Sequence, residues 1–177
     1  MGTCSIRFAR TFRSLAVAAS LALAGCSGTV DMQDDGGGGG GDGAGTGGDP
    51  GAADDLSTAE LELIDLINEE RAARDLDPVL LRTDLNCAAE RHSDDIGESR
   101  SCSHDGSDGS TPSSRVNDCG GPGWSGEIVA CGQGTPRAAV DAWIGSPGHN
   151  QIMFTPGQKT IGVAVHNNFW TAIFDQR

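Results

Sequence analysis

Two histidines and one glutamate stand where this chain offers them no ordinary structural use. His104 lies in "SCSHDG", between a cysteine and a Gly-Asp loop. His149 follows the Pro-Gly break of "SPGHNQIM", and Glu127 opens the short apolar run "EIVAC" behind Gly126. A carboxylate at the head of an apolar strand has to be paired or ligated, because burying it alone is costly. Three such groups, arriving from separate loop-to-element junctions, are able to converge on one cleft. Two imidazoles and a carboxylate with an open position form a zinc-type site for a divalent cation. The same trio equally suits a structural hydrogen-bond cluster, and no compact H-E-x-x-H motif chooses between them. The remaining histidines have plainer readings. His92 falls on the apolar face of a helix, where a buried and satisfied histidine is expected, and His166 sits beside a turn with no role assigned.

The elements that must position these groups can be read from caps, breaks and periodicity. Ser57-Thr-Ala-Glu60 is a capping box, opening a helix to about Asp75 in which Leu63, Ile64, Ile67 and Arg71 share a face. Thr83 or Asp84 is expected to cap a second helix, with Leu85, Ala88, Ala89, His92 and Ile96 at the 3.6-residue period. Thr111-Pro112 and Thr135-Pro136 each pair a cap with a first-turn proline. The first begins one short helix in a long loop. The second begins a helix carrying Val140, Trp143 and Ile144, stopped at Ser146-Pro147. Glu127–Cys131 reads as a strand, and Ile161–Val165 and Phe169–Phe174 as a hairpin around an asparagine-rich turn. Early helices and late strands predict an α+β domain with a mostly antiparallel sheet.

The domain is expected to begin at Leu56. Residues 1–25 carry Arg7, Arg10 and Arg13 ahead of the apolar run "SLAVAASLALAG", too short to span a bilayer and typical of an export signal. That run enters Leu23-Ala24-Gly25-Cys26, which resembles a bacterial lipobox and implies cleavage before a lipidated Cys26. The neighbouring Ser27 favours an outer membrane or cell surface over an inner membrane. Residues 26–55 are rich in glycine and aspartate and hold few apolar residues, the composition of a flexible tether reaching roughly 30 Å. The domain, residues 56–177, then holds nine basic against eighteen acidic residues, a net −9. That sign opposes nucleic acid and anionic surfaces. Cys87, Cys102, Cys119 and Cys131 are even in number and exported, so two disulfides are expected; the shortest loops favour Cys87–Cys102 and Cys119–Cys131.

The segments "LINEERAARDLDPVLLRTDLNCAAERHSDDI", "SHDGSDGSTPSSRV", "GWSGEIVACGQGTPRAAVDAWIGSPGH" and "IGVAVHNNFWTAIF" occur in an order that resembles the bacterial branch of the CAP superfamily. That superfamily comprises cysteine-rich secretory proteins, antigen five and pathogenesis-related proteins. The resemblance covers essentially all of residues 56–174. It implies an α-β-α sandwich with a central, mostly antiparallel sheet and a cleft holding two histidines and two acidic residues. His104 matches the first histidine, in a Ser-His-x-Gly context. Glu127 matches the first glutamate, although Ile128 replaces the asparagine that usually follows, and His149 matches the second histidine. The second glutamate has no counterpart, since Trp143 is followed by Ile-Gly-Ser-Pro, and the stretch after His149 also departs from the pattern. On this reading the Pro-Gly break turns the chain so that His149 faces His104 and Glu127.

The expected function is a lipid-anchored, extracytoplasmic binding or interaction module. Its His104, Glu127 and His149 cleft would take a divalent, zinc-like cation or a small ligand, with membrane contact through Cys26 and an envelope or extracellular partner. A metal-dependent hydrolase using the same cleft and a structural envelope domain are the alternatives. The missing second glutamate removes the obvious general base, and no Ser-His-Asp or Cys-His nucleophile set is recognisable.

Overall fold

A capping box starts the fold as its sequence predicts. In a computed structural model that describes residues 56–177, the Ser57 hydroxyl accepts from the Glu60 amide while the Glu60 carboxylate accepts from the Ser57 amide. The expected export signal, Cys26 and tether lie outside the described residues. Helix α1 (Thr58–Ala72) ends three residues before the expected stop, and the chain turns through Asp75 at positive φ. Strand β1 (Leu80–Leu81), too short to announce itself, follows. Helix α2 (Thr83–Ser99) begins behind Arg82, which caps it without a side-chain bond; the expected Thr83 or Asp84 cap lies inside the helix instead. Helix α3 (Pro112–Asp118) and helix α4 (Pro136–Gly145) take Thr111 and Thr135 as caps, each with proline in the first turn. Strands β2 (Gly126–Cys131), β3 (Thr160–His166) and β4 (Phe169–Asp175) agree with the sequence.

The sheet runs β1-β3-β4-β2, parallel between β1 and β3 and antiparallel elsewhere. Asn167 and Asn168, both at positive φ, make the tight β3–β4 turn that asparagine tolerates. Helices cover both faces. Ile128, Ala130, Ile161, Val163, Trp170, Ala172 and Phe174 join the α1 and α4 residues Leu63, Ile67, Val140 and Trp143 in the larger core. Alternate strand positions, among them Ala164 and Ile173, pack against Leu85, Ala88 and Ala89 of α2 and Val116 of α3. The α2 backbone approaches β3 so closely that a Cβ on Gly162 would lie 2.1 Å from the Leu85 carbonyl carbon. Only glycine fits there. The result is an α+β domain with an α-β-α layer order. No helix among the described residues is long and apolar enough to cross a membrane.

Two disulfides form, but not with the expected pairing. Cys87 joins Cys119 and Cys102 joins Cys131, each with Cα atoms 6.0 Å apart. Packing of α3 on α2 brings the C-terminal end of α3 to the first turns of α2. The chain leaving α2 then reaches the far end of β2. Loop-closure entropy grows slowly with length, so the preference for short loops was outweighed by which elements pack together.

Candidate functional site

Strand β2 is an edge of the sheet, and the candidate site wraps that edge. Strand alternation places Glu127 on the α2 and α3 side, opposite Ile173, whereas Gly126 faces the α5 side. Helix α5 (Pro147–Met153) was not expected as a helix. The Pro-Gly pair opens it: Ser146 closes α4 and begins α5, Pro147 takes the first helical position, and the Asn150 amide donates to the Ser146 carbonyl. His149 therefore projects from a first helical turn rather than from a loop. Arg71 anchors the other end of α5. It is fully buried and donates to the backbone carbonyls of Met153, Asp77 and Gln158 at 2.7, 2.9 and 3.2 Å. Its cationic group satisfies carbonyls that the helix C-terminus would leave without partners.

Glu127 is the hub. Its side chain is 1% exposed. Oε2 accepts from Arg115 Nη2 at 2.8 Å, and Oε1 lies 2.8 Å from His104 Nδ1. Arg115, 2% exposed, also donates to the carbonyls of His104 and Ser110 and to the Ser110 hydroxyl. It thus ties down the loop that carries His104 as well as the carboxylate that orients it. With Glu127 ionised, His104 Nδ1 carries a proton toward it and Nε2 is turned outward. The His104 side chain is 53% exposed. Its hydrogen bond to Glu127 raises its pKa above the ordinary histidine range, against an opposing effect of burial.

His149 is half-buried, with its ring centroid 6.5 Å from that of His104 and the planes at 67°. Burial lowers its pKa, and the charge of His104 adds to the effect. The cluster thus brings His104 and Glu127 into direct contact and sets His149 beside His104. His92 is fully buried on α2, as expected, but not fully satisfied, because its Nδ1 has no hydrogen-bond partner. Its Nε2 donates to the Ser103 carbonyl at 2.9 Å and lies 3.8 Å from Glu127 Oε1, and burial lowers its pKa. His166, expected from its place beside the turn to be exposed and given no role, is instead half-buried and pairs with Glu98 at 3.1 Å and Asp94 at 3.5 Å.

A three-donor metal centre does not follow from this arrangement. Both Glu127 oxygens are engaged by Arg115 and His104, and among the described residues no group of three His, Cys, Asp or Glu side chains is placed to hold a metal ion. The donor set that remains is two imidazoles, with Glu127 behind one of them as an orienting carboxylate. Beside His104 opens a cavity of about 350 Å³ lined by Pro112, Trp124, Ser125, Gly126, Glu127 and Ile152.

Arg115, Trp124 and Arg71 were not singled out from the sequence as site residues. "SSRV" places an arginine in a short helix beside one apolar residue, and nothing local marks it as buried. The usable signal was Glu127 itself, since a carboxylate in an apolar strand requires a cation from somewhere.

Residues 64–174 match the CAP family, described as the cysteine-rich secretory protein family. The chain is 29% identical over 126 residues to the protein YkwD of Bacillus subtilis, covering 70% of this chain and 49% of that one. It therefore spans about half the length of the curated relative it matches. Among solved structures, an extracellular protein containing an SCP domain from Bacillus anthracis superposes with a TM-score of 0.63 at 25% identity, over 67% of this chain and 40% of that chain. An outer surface protein of Borrelia burgdorferi gives 0.58 at 23% identity, over 69% of this chain and 97% of that chain, a likeness of fold alone. The matched span takes in α1 from Ile64, every later element through Phe174, and with them His104, Glu127 and His149; the chain belongs to the cysteine-rich secretory protein, or CAP, family.

Proposed function

We propose that this chain is an exported, lipid-anchored CAP domain that acts as a binding module. Its cleft takes a divalent cation or a small ligand at the outward nitrogens of His104 and His149. The observation that carries the reading is the fixed His104 ring: Glu127 holds Nδ1 at 2.8 Å, leaving Nε2 free beside the His149 ring and the cavity. An imidazole held by a carboxylate on one nitrogen is a better ligand at the other. Export is supported by the two disulfides, which persist in oxidising compartments, and by the likeness to an extracellular SCP-domain protein of Bacillus anthracis. Anchoring rests on Cys26 behind its apolar run.

Binding is favoured over hydrolysis because a metal hydrolase also needs a base to activate water. Glu127, the nearest carboxylate, is enclosed and already shared between Arg115 and His104. Calorimetric titration of zinc into the chain should show one site that disappears in the double variant His104→Ala/His149→Ala. Both residues lie outside the apolar core, so the variant should remain folded. Equal affinity before and after the substitution would refute the assignment of the cleft.

A further inference from the structure

The cavity beside His104 has walls that the imidazoles do not explain. They are largely carbon: the Trp124 ring, Pro112 and Ile152 stand around a floor of Gly126 and Glu127. Helix α5 holds Ile152 against the floor so tightly that a Cβ on Gly126 would lie 2.6 Å from its Cγ2. Trp124 is half-buried and packed on one side against the cluster of Leu85, Val116 and Ile173. The other two tryptophans, Trp143 and Trp170, are consumed by the core at 0% and 2% exposure. Among the described residues the Trp124 indole N–H has no hydrogen-bond partner, and His104 uses only Nδ1.

These features narrow the chemistry of an occupant. A wholly apolar ligand offers nothing to the unpartnered indole N–H of Trp124 or to His104 Nε2, and covering either without a hydrogen bond costs free energy. An anion would approach a domain of net charge −9. A cation finds no free carboxylate on the floor, because Glu127 is already neutralised by Arg115 at 2.8 Å. What meets every condition is a neutral ring with an apolar face and a rim of hydroxyl groups. At about 350 Å³ the cavity stands near the low end of the roughly 300–1,000 Å³ typical of small-molecule sites, space for one or two such rings.

We propose that this cavity is a sugar subsite, in which Trp124 and Pro112 form a platform for the C–H face of a pyranose ring of a neutral glycan. Hydroxyl groups of the same ring reach His104 Nε2 and the Trp124 N–H. The proposal rests on the reading of the domain as a binding module and adds the ligand class. It assigns the ring wall to recognition, shares His104 Nε2 between a ring hydroxyl and a cation as alternatives, and leaves the His149 imidazole for either.

The test titrates the full-length chain with chitotriose, maltotriose and dodecanoate, following the indole N–H resonances and the acrylamide quenching of tryptophan emission. Trp124 is the one tryptophan that quencher and ligand both reach. A neutral oligosaccharide should shift the Trp124 resonance and protect it from quenching. Trp124→Ala should weaken that binding about tenfold or more, and Trp124→Phe, which keeps an aromatic platform, should retain most of it. Preference for chitotriose over maltotriose would indicate an N-acetylated wall glycan as the source; equal response would indicate a free neutral sugar. No response to either sugar at millimolar concentration overturns the proposal, as does sugar binding that Trp124→Ala and Trp124→Phe leave unchanged, or a response to dodecanoate alone. Zinc titration of the same samples separates the two readings. Zinc binding without sugar binding sinks only the subsite, whereas loss of both sinks the binding module.

Discussion

A carboxylate with 1% of its side chain exposed at the head of an edge strand needs polar partners, and Glu127 has a different one on each oxygen. Arg115 is the buried one, so truncating it should leave Oε2 of Glu127 without a partner and His104 as the only remaining hydrogen bond to the carboxylate. Arg115→Ala is expected to cost about 3–5 kcal/mol in denaturant unfolding. The double variant Arg115→Ala/Glu127→Ala should cost less than the sum of the two single variants; strict additivity would mean that the pair is not coupled. The histidines give the site a pH dependence whose sign follows from their surroundings. Burial lowers the pKa of His92 and of His149, so their contribution to stability is complete above the unfolded value of ~6.5 and lost as the pH falls. His104 runs the other way. Its bond to Glu127 raises its pKa, so its contribution is complete below the unfolded value and lost as the pH rises through the folded one. For His92, the fully buried one, the lowered pKa predicts that His92→Gln makes the melting temperature fall less between pH 7 and pH 5 than it does in the parent, measured by calorimetry. A drop of the same size in that variant would remove His92 as a cause. At this scale the sequence was informative about Glu127, whose apolar surroundings demanded a partner. It was silent about Arg115, because burial of an arginine depends on which helix lies over it.

The elements that hold the site were legible wherever a local rule sufficed. Ser57 with Glu60, Thr111 with Pro112, Thr135 with Pro136 and the paired asparagines of the β3–β4 turn each carry their own conformational instruction. What escaped depends on tertiary contact. Strand β1 is a strand because β3 pairs with it through Leu80 and Leu81, and α5 persists because Arg71 binds the carbonyls at its end. Seven residues would not stay helical alone. The disulfides follow the same logic, since their pairing reports which elements touch. The bridge Cys102–Cys131 joins the chain two residues before His104 to the end of the strand that bears Glu127. Replacing both cysteines by serine should cost about 3–4 kcal/mol in the chain-entropy picture and should also move the His104 titration toward the ordinary histidine value. The matching change at Cys87 and Cys119 should cost a similar amount yet shift His104 less, because that bridge joins α2 to α3 away from the loop. NMR titration of His104 in both variants decides this. Equal shifts would mean that neither bridge specifically holds the loop.

For the whole molecule, the division of charge and composition along the chain indicates how the cleft would be presented. The domain keeps nine basic residues against eighteen acidic ones, whereas residues 27–55 hold seven aspartates and no basic residue. A net charge of that sign also opposes approach of the domain to an anionic membrane surface. The anchor proposed at Cys26 would hold the cleft near the envelope, which nothing in the domain's charge would do. Cys26 is the residue on which that depends. Cys26→Ala should leave the domain folded with both disulfides intact, because Cys26 takes no part in either bridge. It should move the chain out of the membrane fraction, either into the soluble fraction or into an unprocessed precursor. Intact-mass measurement separates the cases: the parent should begin at Cys26 with the added mass of acyl chains, and the variant should lack it. A parent chain with no lipid mass and unchanged fractionation of the variant would leave the domain free in solution, and its residence at the envelope would then have to come from whatever the cleft binds.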